Sequence, residues 1–146
     1  MSESRKAMEV YPGLILGGLW MLYDILRMEP DVLVPLDNLP GWVNNKNFNG
    51  EVIYSYIPDY GTLPDDELDK LVTGIAERIR GGKKVAVFCL GGQGRTGYVA
   101  SCVLHLFGVQ DPVSFLRKNY NPNSVETREQ MEAVQNFCNR FKPSES

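Results

Sequence analysis

The chain has 146 residues, 43% of them hydrophobic and 23% charged, which is the balance of a globular protein with room for a real core. Its net charge of −3 counts against nucleic acid and against a polybasic membrane-surface mode, because both need a basic face. The three cysteines, Cys89, Cys102 and Cys138, form neither an even disulfide framework nor a metal-ligand spacing. A reduced, cytoplasmic compartment is therefore expected, with no metal and no organic cofactor.

Residues 1–9 and 142–146 read as loose ends of a single domain spanning 1–146. Leu14 to Leu16 reads as a strand closing at Gly17-Gly18. The apolar segment Leu14 to Leu22 is too short to cross a bilayer, so it is assigned to the core. A helix over Leu19 to Met28 stops before Pro30. Val32-Leu33-Val34 is a wholly apolar strand of the kind found inside a parallel sheet. Asp37 to Gly50, rich in Asn, Gly and Pro, is a loop, and Glu51 to Ile57 is another strand.

The clearest helix carries Leu68, Leu71, Val72, Ile75, Ala76 and Ile79 on one stripe. Thr62 is placed to cap it, Pro64 suits its first turn, and Gly81-Gly82 ends it. A strand from Lys84 to Phe88 follows, then a glycine-rich segment, then a helix from Tyr98 to Phe107. A short helix over Pro112 to Tyr120 and a final one starting at Thr127 complete the chain. The pattern predicts a three-layer α/β domain, with helices on both faces of a central, mostly parallel sheet.

Chemistry concentrates in the segment Phe88-Cys89-Leu90-Gly91-Gly92-Gln93-Gly94-Arg95-Thr96-Gly97. A strand, a glycine-rich loop and a helix N-terminus together aim backbone N–H groups and a helix dipole at one anion. The same field favours a thiolate at Cys89. Arg95, six residues on, presents a planar fork that matches two phosphoryl oxygens. Thr96 offers a hydroxyl that can donate to the sulfur and ease its departure. Leu90, Gly91, Gly92, Gln93 and Gly94 supply the remaining loop N–H groups, and none of them is charged.

The segment from Cys89 to Arg95, followed by Thr96-Gly97, resembles the phosphate loop of cysteine-dependent protein tyrosine phosphatases. Ile57-Pro58-Asp59-Tyr60-Gly61 lies upstream, where that superfamily carries its general acid. Ser124-Val125-Glu126-Thr127 with Gln130 is similar to the C-terminal segment of compact atypical dual-specificity phosphatases and their small prokaryotic relatives. Low-molecular-weight tyrosine phosphatases place the loop near the N-terminus with the acid far downstream, so chain order favours the dual-specificity arrangement.

The resemblance implies a phosphocysteine mechanism on phosphotyrosine, and also on phosphoserine and phosphothreonine, in protein substrates handled by a monomer. Cys89 attacks phosphorus. Arg95 and the loop hold the equatorial oxygens. Asp59 protonates the leaving group and then activates water. Asp65 and Asp66 compete with Asp59 on composition, but as first-turn acids they simply complement a helix dipole.

Gln130 matches a water-placing glutamine of related enzymes, although Thr127 to Gln130 also spells a capping box. The family's usual histidine before the cysteine is Phe88 here, and the only histidine, His105, reads as structural. Trp42, Tyr56 and Tyr60 are candidates either for the mouth of the site or for the core. Two other readings stay open: a phosphatase of a phosphoinositide or nucleotide, and a phosphate-binding module with little turnover.

Overall fold

Period-two alternation decides which core each central strand faces. The strands are β1 (Met8–Tyr11), β2 (Leu14–Gly18), β3 (Val32–Pro35), β4 (Glu51–Val52) and β5 (Val85–Cys89). They form one sheet ordered β1-β2-β5-β3-β4 in a computed structural model that describes residues 7–142. β1 runs antiparallel to β2, and the other pairs are parallel. Leu14, Leu16, Val32, Val34, Val85, Val87 and Cys89 face one core, while Ile15, Leu33, Ala86 and Phe88 face the other. β2, β3 and β5 are buried on both faces, which is why they read as unbroken apolar runs.

The helices are α1 (Leu22–Arg27), α2 (Asp65–Arg80), α3 (Gly94–Leu106), α4 (Pro112–Asn119) and α5 (Arg128–Arg140). Apolar side chains of α2 to α5 cover the first face, and Leu22 and Ile25 of α1 cover the second. This is the predicted three-layer α/β arrangement.

Several boundaries differ from expectation. Met8 and Glu9 belong to a strand rather than a loose end, because Pro12 and Gly13 (φ +90°) turn the chain back so that β1 pairs with β2. The other residues expected to be loose, 1–6 and 143–146, lie outside the described set. The helix expected over Leu19 to Met28 is a single 3₁₀ turn, Leu19–Met21, followed by α1. After β4 the chain still bonds to β3 from Ile53 N, Ser55 N and Ile57 N, to Leu33 O, Pro35 O and Leu36 O. That continuation carries the chain to the site.

Thr62 does not cap α2. Pro64 occupies the cap position without a side-chain bond, and Asp65, Asp66 and Glu67 balance the dipole instead. Arg78 grips the Glu51 carboxylate through two bonds of 2.7 and 2.6 Å, tying α2 to β4 and holding Glu51 below the usual carboxylate range. Arg140 of α5 reaches Asp69 of α2 at 2.6 Å. His105 is structural as expected, with Nε2 2.6 Å from the Phe141 carbonyl.

Tyr98 of α3 is fully buried, and its hydroxyl accepts from Leu63 N–H at 3.1 Å. Burial pushes the phenol up from 10.0 to about 12. A folded-state value above the unfolded one contributes stability that is complete below pH 10 and is lost as pH rises towards 12. In that window the loss reaches about 1.4 kcal/mol per pH unit. Tyr98→Phe is therefore expected to cost about 1 kcal/mol at neutral pH, through the orphaned Leu63 N–H. The gap to wild type should close above pH 10 in urea melts. A gap that stays constant to pH 12 would overturn the assignment.

Candidate active site

β5 delivers Cys89 to the carboxyl edge of the sheet, between β2 and β3, where a parallel α/β sheet opens to ligands. Sγ accepts hydrogen bonds from Gly92 N–H at 3.3 Å and from Thr96 Oγ1 at 3.0 Å. Leu90 O accepts from Leu19 N–H at 3.1 Å, which fastens the start of the loop to the end of β2. Gly92 is required twice over. Its φ is +74°, and a Cβ there would sit 2.7 Å from the Gly17 carbonyl carbon. From the other side the buried Tyr120 hydroxyl donates to Gly92 O at 2.7 Å.

α3 begins at Gly94, earlier than the expected Tyr98, so Arg95 and Thr96 sit in its first turn. Arg95 is only 3% exposed. Its Nη1 donates to Ile57 O at 2.8 Å, and its Nη2 lies 2.9 Å from Asp37 Oδ2 and 3.7 Å from Asp59 Oδ1. A buried cation at a helix N-terminus opposes the dipole, and two carboxylates and a carbonyl offset that cost.

One cavity of about 360 Å³ gathers the predicted residues Cys89, Leu90, Gly91, Gln93, Gly94, Arg95 and Asp59. Gly92 and Thr96 stand behind its wall on the sulfur. Asp59 is largely exposed above the cavity.

Of the three aromatic candidates, Tyr60 lines this cavity. Trp42 stacks on Tyr23 at 4.5 Å, and Tyr56 is exposed outside the cavity lining. Trp20 takes part in the rim instead. Gln130 is buried and forms the capping box. Its Oε1 accepts from Glu126 N–H (2.8 Å) and Thr127 N–H (3.3 Å), and its Nε2 donates to Gly61 O (3.2 Å). Oε1 thus has two protein donors, while Nε2 spends one of its two N–H groups on Gly61 O.

Asp37 and Glu126 had no role in the sequence reading. Asp37 immediately follows the apolar run of β3, and a carboxylate at a strand's carboxyl end beside a phosphate loop is the available signal. Asp37→Ala is expected to lower kcat/KM on an aryl phosphate about tenfold, because Arg95 loses its shortest charged brace. The measurement is steady-state kinetics, and an unchanged value would show that Ile57 O suffices to hold the guanidinium.

Phe88 is fully buried among Ile15, Leu22, Ile25, Leu33 and Ala86, on the sheet face opposite Cys89. The ring fills an apolar layer under α1, where an imidazole would lack a polar setting. The cysteine's hydrogen bonds come instead from Gly92 and Thr96.

A thiol at the end of a parallel strand, a loop of N–H groups curling back over it and a buried arginine in the next helical turn together define a cysteine-dependent phosphatase domain of the dual-specificity type. The family model described as the Swiss Army Knife DSP-PTPase phosphatase domain matches residues 36–142, and the chain belongs to that family.

Two uncharacterised proteins of Methanocaldococcus jannaschii are similar to it. MJECL20 is 36% identical over 60% of this chain and 60% of its own length. MJ0215 is 38% identical over 56% of this chain and 52% of its own. The match thus spans little more than half of those relatives. Among solved structures, Tk-PTP in its active form superposes with a TM-score of 0.79 at 28% identity, covering 92% of this chain and 97% of that one. A mouse putative dual specificity phosphatase shares the fold with a TM-score of 0.75 at 16% identity, covering 94% of this chain and 90% of that one. Among the described residues, no helix is long and apolar enough to cross a membrane.

Proposed function

We propose that the chain is a phosphomonoester hydrolase that removes phosphate from phosphotyrosine, and also from phosphoserine and phosphothreonine, in proteins through a phosphocysteine intermediate. The observation that carries this reading is the convergence of Cys89 Sγ, the Arg95 guanidinium and the Asp59 carboxylate on one cavity. Sγ attacks phosphorus, and the phosphorus–oxygen bond to the leaving group breaks as the phosphorus–sulfur bond forms. Arg95 and the loop N–H groups from Leu90 to Gly94 gain strength as the equatorial oxygens gather charge, which is the differential binding that speeds a reaction. Asp59 gives its proton to the departing oxygen. Thr96 Oγ1 stabilises the sulfur when water later displaces it as a thiolate.

The rim of Trp20, Tyr60 and Leu90 is apolar and suits an aryl leaving group, and the neutral loop interior suits a single phosphate. Among the described residues, a phosphoinositide with several phosphates meets Arg95 as the one cationic side chain lining the cavity. Three free cysteines fit a monomer working in a reducing, cytoplasmic setting.

The test is hydrolysis of an aryl phosphate, its inhibition by vanadate, and a panel of phosphopeptides, phosphoinositides and nucleotides. Vanadate-sensitive turnover with preference for phosphotyrosyl peptides is the expected result. Tight phosphopeptide binding without turnover would overturn it.

A further inference from the structure

The turn from Ser124 to Thr127 is built more tightly than a connection between α4 and α5 requires. Val125 is a buried β-branched residue at φ +65°, a conformation that costs energy unless its surroundings impose it. The surroundings here do impose it. Arg117 of α4 donates from Nε to Ser124 O at 2.9 Å and from Nη2 to Val125 O at 2.8 Å. Ser124 packs on Gly97 of α3, where a Cβ would sit 2.8 Å from the Ser124 Cβ. Gln130 receives the Glu126 N–H and reaches on to Gly61 O beyond Asp59. The strained turn is therefore clamped by α3, α4, α5 and the Asp59 loop.

What this clamp presents is Glu126. Its side chain lines the same cavity as Cys89, Arg95 and Asp59, and its carboxylate lies against Gly94 at the start of α3, in the space a Cβ at that position would occupy. An acid held there cannot be explained as a helix cap of α5, since Thr127 is the cap residue and Gln130 completes the box.

We propose that Glu126 is a second catalytic carboxylate, the base that activates water against the phosphocysteine. The assignment rests on the phosphatase reading above and divides its two proton transfers. Asp59 serves the leaving group. Glu126 takes a proton from the water whose oxygen bonds to phosphorus. The phosphorus–sulfur bond breaks, its electron pair returns to Sγ as thiolate, and inorganic phosphate leaves. Gln130, bonded to Glu126 N–H and to Gly61 O, braces Glu126 and the Asp59 loop in one frame.

The test is pre-steady-state hydrolysis of aryl phosphates with leaving groups of graded basicity, in wild type, Glu126→Gln and Glu126→Asp. For Glu126→Gln the expected result is a burst approaching one equivalent of released phenol, followed by kcat at least about tenfold below wild type and the same for every leaving group. Acid quenching should trap phosphoenzyme at high occupancy, and Glu126→Asp should recover part of the rate. An unchanged kcat overturns the proposal. So does a slower reaction without a burst whose rate follows the leaving group, since Glu126 then acts before the intermediate or only on structure. A wild type with no turnover and no burst overturns the phosphatase reading itself, and this proposal with it.

Discussion

Replacing Cys89 with serine is expected to remove aryl phosphatase activity by on the order of 10⁴-fold or more while leaving phosphate binding in place. The proposed mechanism puts the two functions in different atoms. It assigns binding to the loop N–H groups and to Arg95, whose guanidinium is fixed by Ile57 O and Asp37 and does not depend on the sulfur. In the proposed mechanism attack belongs to the sulfur alone, and a serine hydroxyl, far less acidic than a thiol, does not ionise in its place. Gly92 N–H and Thr96 Oγ1, which bond to Sγ at 3.3 and 3.0 Å, can still donate to the smaller oxygen, so the loop should keep its shape. Steady-state rates on an aryl phosphate test the first half, and titration calorimetry with a phosphotyrosyl peptide tests the second. Retention of more than about a tenth of the rate would refute the nucleophile assignment.

The gathering of Cys89 and Arg95 at one cavity was legible because its logic is local: a strand end, glycines, and an arginine six residues on. The long stripe of α2 and the doubly buried β2, β3 and β5 were legible for the same reason, since periodicity within one element decides them. The opposite outlooks of Phe88 and Cys89 follow from strand alternation alone, which turns the Phe88 ring away from the sulfur.

Other features depend on which elements become neighbours. Asp37 braces Arg95 because β3 and β5 are adjacent, with Pro35 beside Phe88 in register. No spacing in the chain reveals that adjacency. Tyr120 reaches Gly92 only because α4 packs on α3, and Glu126 enters the cavity only because Gly97 lets the turn approach α3. β1 was missed because Pro12-Gly13 reads equally as a helix breaker and as a tight turn. Thr62 failed as a cap because Pro64 already sets the helix start, and three acids then satisfy its dipole.

Asp59→Asn is expected to separate good leaving groups from poor ones. With a strongly acidic phenol the rate should fall only a few-fold, because that oxygen departs without a proton. With phosphotyrosine or an alkyl phosphate the fall should be on the order of 10²-fold or more, the usual contribution of a positioned general acid. The geometry supports this asymmetry. Asp59 is 57% exposed on the side chain and rests 3.7 Å from Arg95, a distance set by charge rather than by a tight hydrogen bond. Tyr60 at φ +64° and the Gly61 N–H, bonded to Pro58 O at 2.8 Å, form the turn that carries it. Gln130 and Thr127 hold that turn from α5. The measurement is the dependence of kcat/KM on leaving-group basicity, which should be shallow in wild type and steep in the variant. Equal slopes in the two proteins would mean that another carboxylate over the cavity delivers the proton. Glu126 is the group that stands there, so the roles of the two acids would then have to be exchanged.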